Sequence, residues 1–213
     1  RETSSFTTSL SITLKPSIEG ETVRFTTNGK LPNSTSKAYT SAIRVNKSTL
    51  ISARCFSKDG QGGPPISHEY LQVAANARKF TSNLPVIVIE NFKGGGIPSD
   101  PYKNAYMSIY EPGGGERTSL MNSPTLGTRV GIKIRGSSTQ NRAKKAFTVE
   151  ARDDFGEDKD ISPLGLAEES DWILYAAYNF DRALIRNALI YELSNQIGRY
   201  AVRTRFCEVF VNT

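Results

Sequence analysis

Gly131-Ile-Lys-Ile-Arg-Gly-Ser-Ser-Thr-Gln-Asn-Arg-Ala-Lys-Lys-Ala-Phe-Thr-Val-Glu150 opens the stretch that decides the reading of this chain. Ser170-Asp-Trp-Ile-Leu-Tyr-Ala-Ala-Tyr-Asn-Phe-Asp-Arg-Ala-Leu-Ile-Arg-Asn187 closes it. β-Branched and aromatic runs flank a cluster of Gly, Ser, Thr and Asn, which predicts a strand over 130–134, a polar turn carrying Gly136 and a second strand over 146–151. Lys133, Arg135, Arg142, Lys144 and Lys145 therefore crowd one hairpin. Cations beside hydroxyls and free turn amides suit a phosphate, because Arg offers a bidentate fork and Lys a point charge. The same residues also read as a solvated basic edge that discourages strand pairing.

Beyond this hairpin the chain turns apolar again. Trp172, Ile173, Leu174 and Tyr175 predict a strand. Asp181 then offers an N-cap, Leu184, Ile185, Ala188, Leu189, Leu193 and Ile197 recur at helical spacing, and Gly198 supplies the stop. Arg186 and Asn187 fall near the start of that helix, where backbone amides and the positive dipole end lie. Arg186 reads as the partner of a carboxylate such as Asp181 or Glu192 and is expected to be buried. Residues 205–211 are apolar on both faces and are expected inside a sheet. Asn212-Thr213 is a turn position with no returning strand, so the domain is expected to be unfinished at that point.

Working back toward the amino terminus, 84–90 reads as a fully apolar strand and 105–110 as another, while Gly94-Gly95-Gly96 and Gly113-Gly114-Gly115 read as flexible loops. Neither triplet precedes the Gly-Lys-Ser/Thr of a phosphate loop. Residues 7–73 alternate as short half-buried strands: Leu10, Ile12 and Leu14 share a face, as do Val23 with Phe25, Ile43 with Val45, and Ile51, Ala53 and Cys55. Asn28-Gly29 is a hairpin signal, since both residues tolerate positive φ. Short strands separated by turns argue for an immunoglobulin- or fibronectin-like β-sandwich.

With 213 residues, 38% hydrophobic content and 23% charge, the chain can bury one large core or two small ones. Its 27 cations against 21 anions favour anionic partners moderately. No segment stripes basic residues with exposed aromatics, which argues against nucleic acid. His68 is the only histidine, and neither cysteine forms a metal-ligand spacing with it. Cys55 and Cys207 lie in separate apolar runs and read as buried free thiols. No apolar stretch approaches the length of a membrane span.

Several motifs occur in a fixed order: Gly-x-x-x-Arg-Gly-Ser-Ser from Gly131, Lys-Lys-Ala-Phe from Lys144, Glu-Ser-Asp-Trp-Ile-Leu from Glu169, Asp-x-x-Leu-Ile-Arg-Asn from Asp181 and Arg-Phe-Cys-Glu-Val-Phe-Val-Asn from Arg205. Together they resemble the CotH family, the spore-coat-type atypical protein kinases and their secreted relatives. The segment 23–45 resembles the chitobiase or hexosaminidase C-terminal-type sandwich, although Lys30 stands where that family usually carries a small polar residue.

These resemblances imply an α+β chain: a chitobiase-like sandwich over 1–75, a linker over 76–83, and over 84–213 the incomplete first half of a kinase-like domain, an antiparallel sheet plus one main helix. They imply a bacterial protein that is secreted or displayed at the cell surface. Its parent would be an ATP- and magnesium-dependent kinase acting on surface or coat proteins, with these residues inactive by themselves; the alternative is a noncatalytic adhesion scaffold.

By analogy with phosphoryl-transfer enzymes, Lys145 is the first choice to hold ATP phosphates and Lys144 the second. Arg135 and Arg186 would support them, with Asp181 and Asn187 nearby. The catalytic carboxylates would come later than Thr213, and neither ATP nor magnesium would bind tightly here. Partners implied are a protein substrate, the remaining half of the domain and a glycan for the sandwich. Asp154-Phe155-Gly156 spells the magnesium-binding triplet of ordinary protein kinases, but without a His-Arg-Asp catalytic loop it reads as a polar turn.

Overall fold

The computed structural model describes residues 3–92, 94–113 and 117–212. The first half comprises β1 (Ser4–Phe6), β2 (Leu10–Ile12), β3 (Thr22–Thr26), β4 (Lys37–Ala38), β5 (Ile43–Val45), β6 (Thr49–Phe56) and β7 (Ile66–Gln72). Five of these form one sheet in the order β1-β7-β6-β3-β4, and β2 pairs with β5 as a separate ribbon. The two-residue alternation explains the layering: Ile12 and Val45 of the ribbon pack on Phe6, Ile51 and Tyr70 of the larger sheet. This is the β-sandwich expected from the sequence.

The second half comprises β8 (Thr81–Ser82), β9 (Val86–Glu90), β10 (Lys103–Tyr110), β11 (Thr118–Ser119), β12 (Leu126–Arg135), β13 (Ala146–Arg152), β14 (Asp171–Leu174), one α-helix, α1 (Arg186–Gln196), and β15 (Glu208–Val211). Six strands make a single sheet in the order β14-β13-β12-β10-β9-β15. It is antiparallel except for β15, which runs parallel to β9 with Val209 opposite Ile87. One face buries Ile87, Ile89, Met107, Ile109, Val130, Ile132 and Val149, capped by Ile161 and Leu164 from the loop after β13. Asp153 shapes that loop, its Oδ1 accepting the backbone N–H groups of Phe155, Gly156 and Glu157. The Asp-Phe-Gly triplet is thus a polar turn.

The other face of the six-stranded sheet lies against the sandwich, so the five-stranded sheet is a middle layer. Leu71 and Val73 join Val86, Val88, Tyr110 and Leu120 in one apolar cluster. Beside it, Arg129 Nη1 donates to Ser52 Oγ at 3.1 Å and Ser67 Oγ at 3.0 Å, and its Nη2 donates to the Gly29 carbonyl. Segment 76–83, expected as a linker, is packed: Ala77 is buried in the shared cluster and Phe80 meets Phe210 edge to face at 5.0 Å.

Several expectations need correction. Asn28-Gly29 does fall between two antiparallel neighbours, β3 and β4, but in a long connection rather than a two-residue turn. Gly29 takes φ +75° there. The Gly94–Gly96 segment is tied down, with the Asn91 side chain holding both Gly94 N and Gly95 O. In the second triplet, Gly114 and Gly115 lie outside the described residues, as does Thr213. β15 sits at the sheet edge rather than inside it, with β9 its only strand partner among the described residues. Both cysteines are free, as expected, but half-buried; burial pushes the Cys207 thiol up.

Helix α1 departs furthest from its reading. It begins at Arg186 rather than just after Asp181, because Leu184 adopts φ +62° and interrupts the turn. None of its residues is buried. Leu184, Ile185, Leu189, Leu193 and Ile197, whose spacing predicts a core-facing stripe, all face solvent.

Candidate functional site

The strands β12 and β13 pair from Arg129–Arg152 to Arg135–Ala146, and the loop between them carries the basic cluster. Six residues of strand, about 20 Å, separate Arg129 at the sandwich from Arg135 at the loop. Gly136 opens the loop at φ +99°, and a Cβ there would collide with Thr139 Oγ1. Glycine is therefore favoured by conformation, and any other side chain would also have to displace the Thr139 hydroxyl. Inside the loop, Arg142 N donates to Thr139 O and Gln140 Nε2 donates to Ser137 O. Lys145 is half-buried, its Nζ donating to Gln140 O at 2.7 Å and to Arg142 O at 3.3 Å. The ammonium ties the loop together while keeping a third N–H for another acceptor.

Lys144 is exposed at the same turn. Arg135 is exposed where β12 ends and reaches Thr148 Oγ1 at 3.5 Å, too far for a strong bond. Lys133 turns away from the loop: it pairs with Asp100 at 3.3 Å and stands over the Tyr102 ring at 4.4 Å. Arg152 covers the same ring from 5.5 Å while pairing with Glu150 at 2.6 Å. The sequence held no signal for this aromatic cluster, since Asp100 and Tyr102 reach it only through the pairing of β10 with β12.

The loop is brought to the start of α1 by one aromatic residue. Arg142 Cζ lies 5.7 Å from the Phe180 ring centroid, and Arg186 Nη1 donates to the Phe180 carbonyl at 3.3 Å. Asp181 anchors the turn between them. It is buried, with Oδ2 accepting Arg186 N at 2.6 Å and Oδ1 accepting Ala183 N at 3.1 Å. The expected cap is thus made five residues along, across the left-handed Leu184. Arg186 does pair with Asp181, Nε to Oδ1 at 3.8 Å, but its side chain is 76% exposed and not buried as expected. Asn187 is half-buried in the first turn of the helix.

Arg142, Arg186 and the Lys144–Lys145 turn thus belong to one exposed basic region centred on Phe180, whereas Lys133 belongs to the Tyr102 cluster. Such a region can neutralise an anionic group presented from solvent. Among the described residues no three His, Cys, Asp or Glu side chains converge to hold a metal ion. No described helix is long and apolar enough to cross a membrane. A cleft of about 390 Å³ beside α1 is lined by Tyr191, Glu192, Asn195 and 202–205, none of them a predicted site residue.

Residues 132–213 match the family described as CotH kinase protein, and residues 2–67 match the chitobiase/beta-hexosaminidase C-terminal domain. These are the two resemblances read from the motifs. No curated protein matches the chain.

Proposed function

We propose, taking residues 132–213 as a segment similar to CotH-type kinases, that the loop between β12 and β13 and the turn before α1 grip the phosphates of a nucleotide. The parent protein would transfer phosphate from ATP to hydroxyls on surface or coat proteins, at or outside a bacterial cell surface. One observation carries this reading: Arg142 and Arg186, distant in sequence, meet at Phe180 beside the Lys144–Lys145 turn within the matched segment. ATP, when bound, supplies the phosphoryl group. The chain's own residues neutralise and orient it: Arg186 as a fork held at one edge by Asp181, Lys145 through its remaining N–H, and Lys144 and Arg135 as exposed charges. Magnesium is given no ligand among the described carboxylates, no three of which converge.

In the full-length protein, Lys145→Ala is expected to abolish autophosphorylation while Lys159→Ala, in the turn after β13, leaves it intact. Equal activity in the two variants would remove Lys145 from the role. The 213 residues alone are expected to show no turnover, and phosphorylation by them would move the reacting centre into this chain. A second reading, a noncatalytic surface scaffold, is favoured by the two loop carbonyls that Lys145 already holds. On that reading Lys145→Ala lowers the melting temperature and changes no phosphate transfer.

A further inference from the structure

The seam between the sandwich and the six-stranded sheet encloses a carboxyl group with no ion-pair partner among the described residues. Glu69 lies on β7, between Ser67 and Leu71 on the face turned toward β10, and is fully buried. Ser108 Oγ, from β10, donates to its Oε2. Its Oε1 has neither solvent nor a hydrogen-bond partner among the described residues. A bare carboxylate in such a place costs far more than its neutral form.

The groups around it do not offset that cost. Glu90 on β9 is a second buried carboxyl, and Tyr106 and Tyr110 on β10 are phenols. Tyr110 Oη shares a hydrogen bond with Ser5 on β1, and Tyr106 Oη with Thr3, whose hydroxyl also lies 3.4 Å from His68 Nδ1. Arg129 on β12 is the nearby cation, and its guanidinium is engaged by Ser52, Ser67 and Gly29.

We propose that Glu69 is a proton-operated latch between the β-sandwich and the six-stranded sheet, holding the two together while its carboxyl is protonated and loosening the seam when it ionises. Burial pushes the group up from its ordinary value of 4.5 to about 8; the Ser108 bond opposes this and Glu90 adds to it. The closed seam therefore holds one more proton than the open one between these two values. As pH rises through that window, the equilibrium shifts toward the open form by up to about tenfold per pH unit. Above about pH 8 both forms are ionised and the dependence levels off. Acid closes the latch and base loosens it.

The test is a urea titration of the whole chain at pH 5, 7 and 9, followed by small-angle X-ray scattering, whose radius of gyration reports separation of the layers. The wild type is expected to expand at progressively lower urea as pH rises. Glu69→Gln should expand at nearly the same urea concentration throughout, whereas His68→Gln should keep the wild-type trend. Ser108→Ala, which deletes one hydroxyl and with it the bond that favours ionisation, should extend the trend to higher pH and gives an independent reading if Glu69→Gln does not fold. A wild type indifferent to pH, a Glu69→Gln protein that follows it, or a trend abolished by His68→Gln would overturn the latch.

Discussion

Ile132 and Leu189 are both aliphatic, and each is placed by a regular period, one at the centre of β12 and the other on α1. Ile132 is shut off from solvent between β10 and β13, whereas Leu189 is 52% exposed on a helix that fully buries none of its residues. The contrast holds across both elements. Every strand around Ile132 finds a neighbour within the chain, so its alternation becomes a core. The stripe on α1 has the spacing of a core face without a surface against it. Periodicity states which side of an element is apolar; burial needs a second surface.

Four substitutions sharpen the contrast, beginning with the largest effect. Ile132→Ala should cost about 2–5 kcal/mol in urea unfolding, because the cavity opens where neighbouring strands cannot collapse. A cost under about 1 kcal/mol would mean that this sheet is looser than its packing implies. Next, Arg129→Ala leaves Ser52, Ser67 and the Gly29 carbonyl without their cation, an expected loss of about 1–3 kcal/mol. Unchanged unfolding would show that the apolar cluster alone holds the layers together. For Asp181→Ala the expectation is about 0.5–2 kcal/mol, seen as reduced helical circular dichroism, since the bond to Arg186 N is lost. Finally, Leu189→Ala should change stability by no more than about 0.5 kcal/mol, and a core-sized penalty in a melting curve would reveal a covered helix face.

Much of the sheet architecture could be read in advance because it depends on local patterns. The alternation of 105–110 and 130–134, the glycine at 136 and the Asp-rich turn after β13 each carry their own physical cause. The seam was hidden because its residues are unremarkable singly: Ser52, Ser67, Glu69, Ser108 and Arg129 acquire meaning only when β7 lies across β10 and β12. The start of α1 was misplaced for a similar reason. Asp181 caps across a left-handed leucine, a conformation that Leu seldom adopts and that no helical period signals. At the basic loop, the sequence placed five cations on one hairpin but could not separate Lys133, drawn to Asp100 and Tyr102, from Arg142, drawn to Phe180.

The division between a sheet body that completes its own core and a helix that does not is open to native-state hydrogen exchange on the whole chain. An 11-residue helix with no fully buried residue is marginal in water. The amides of α1 should therefore exchange orders of magnitude faster than those of β10 and β12. Helix amides protected as strongly as those two strands would contradict the account.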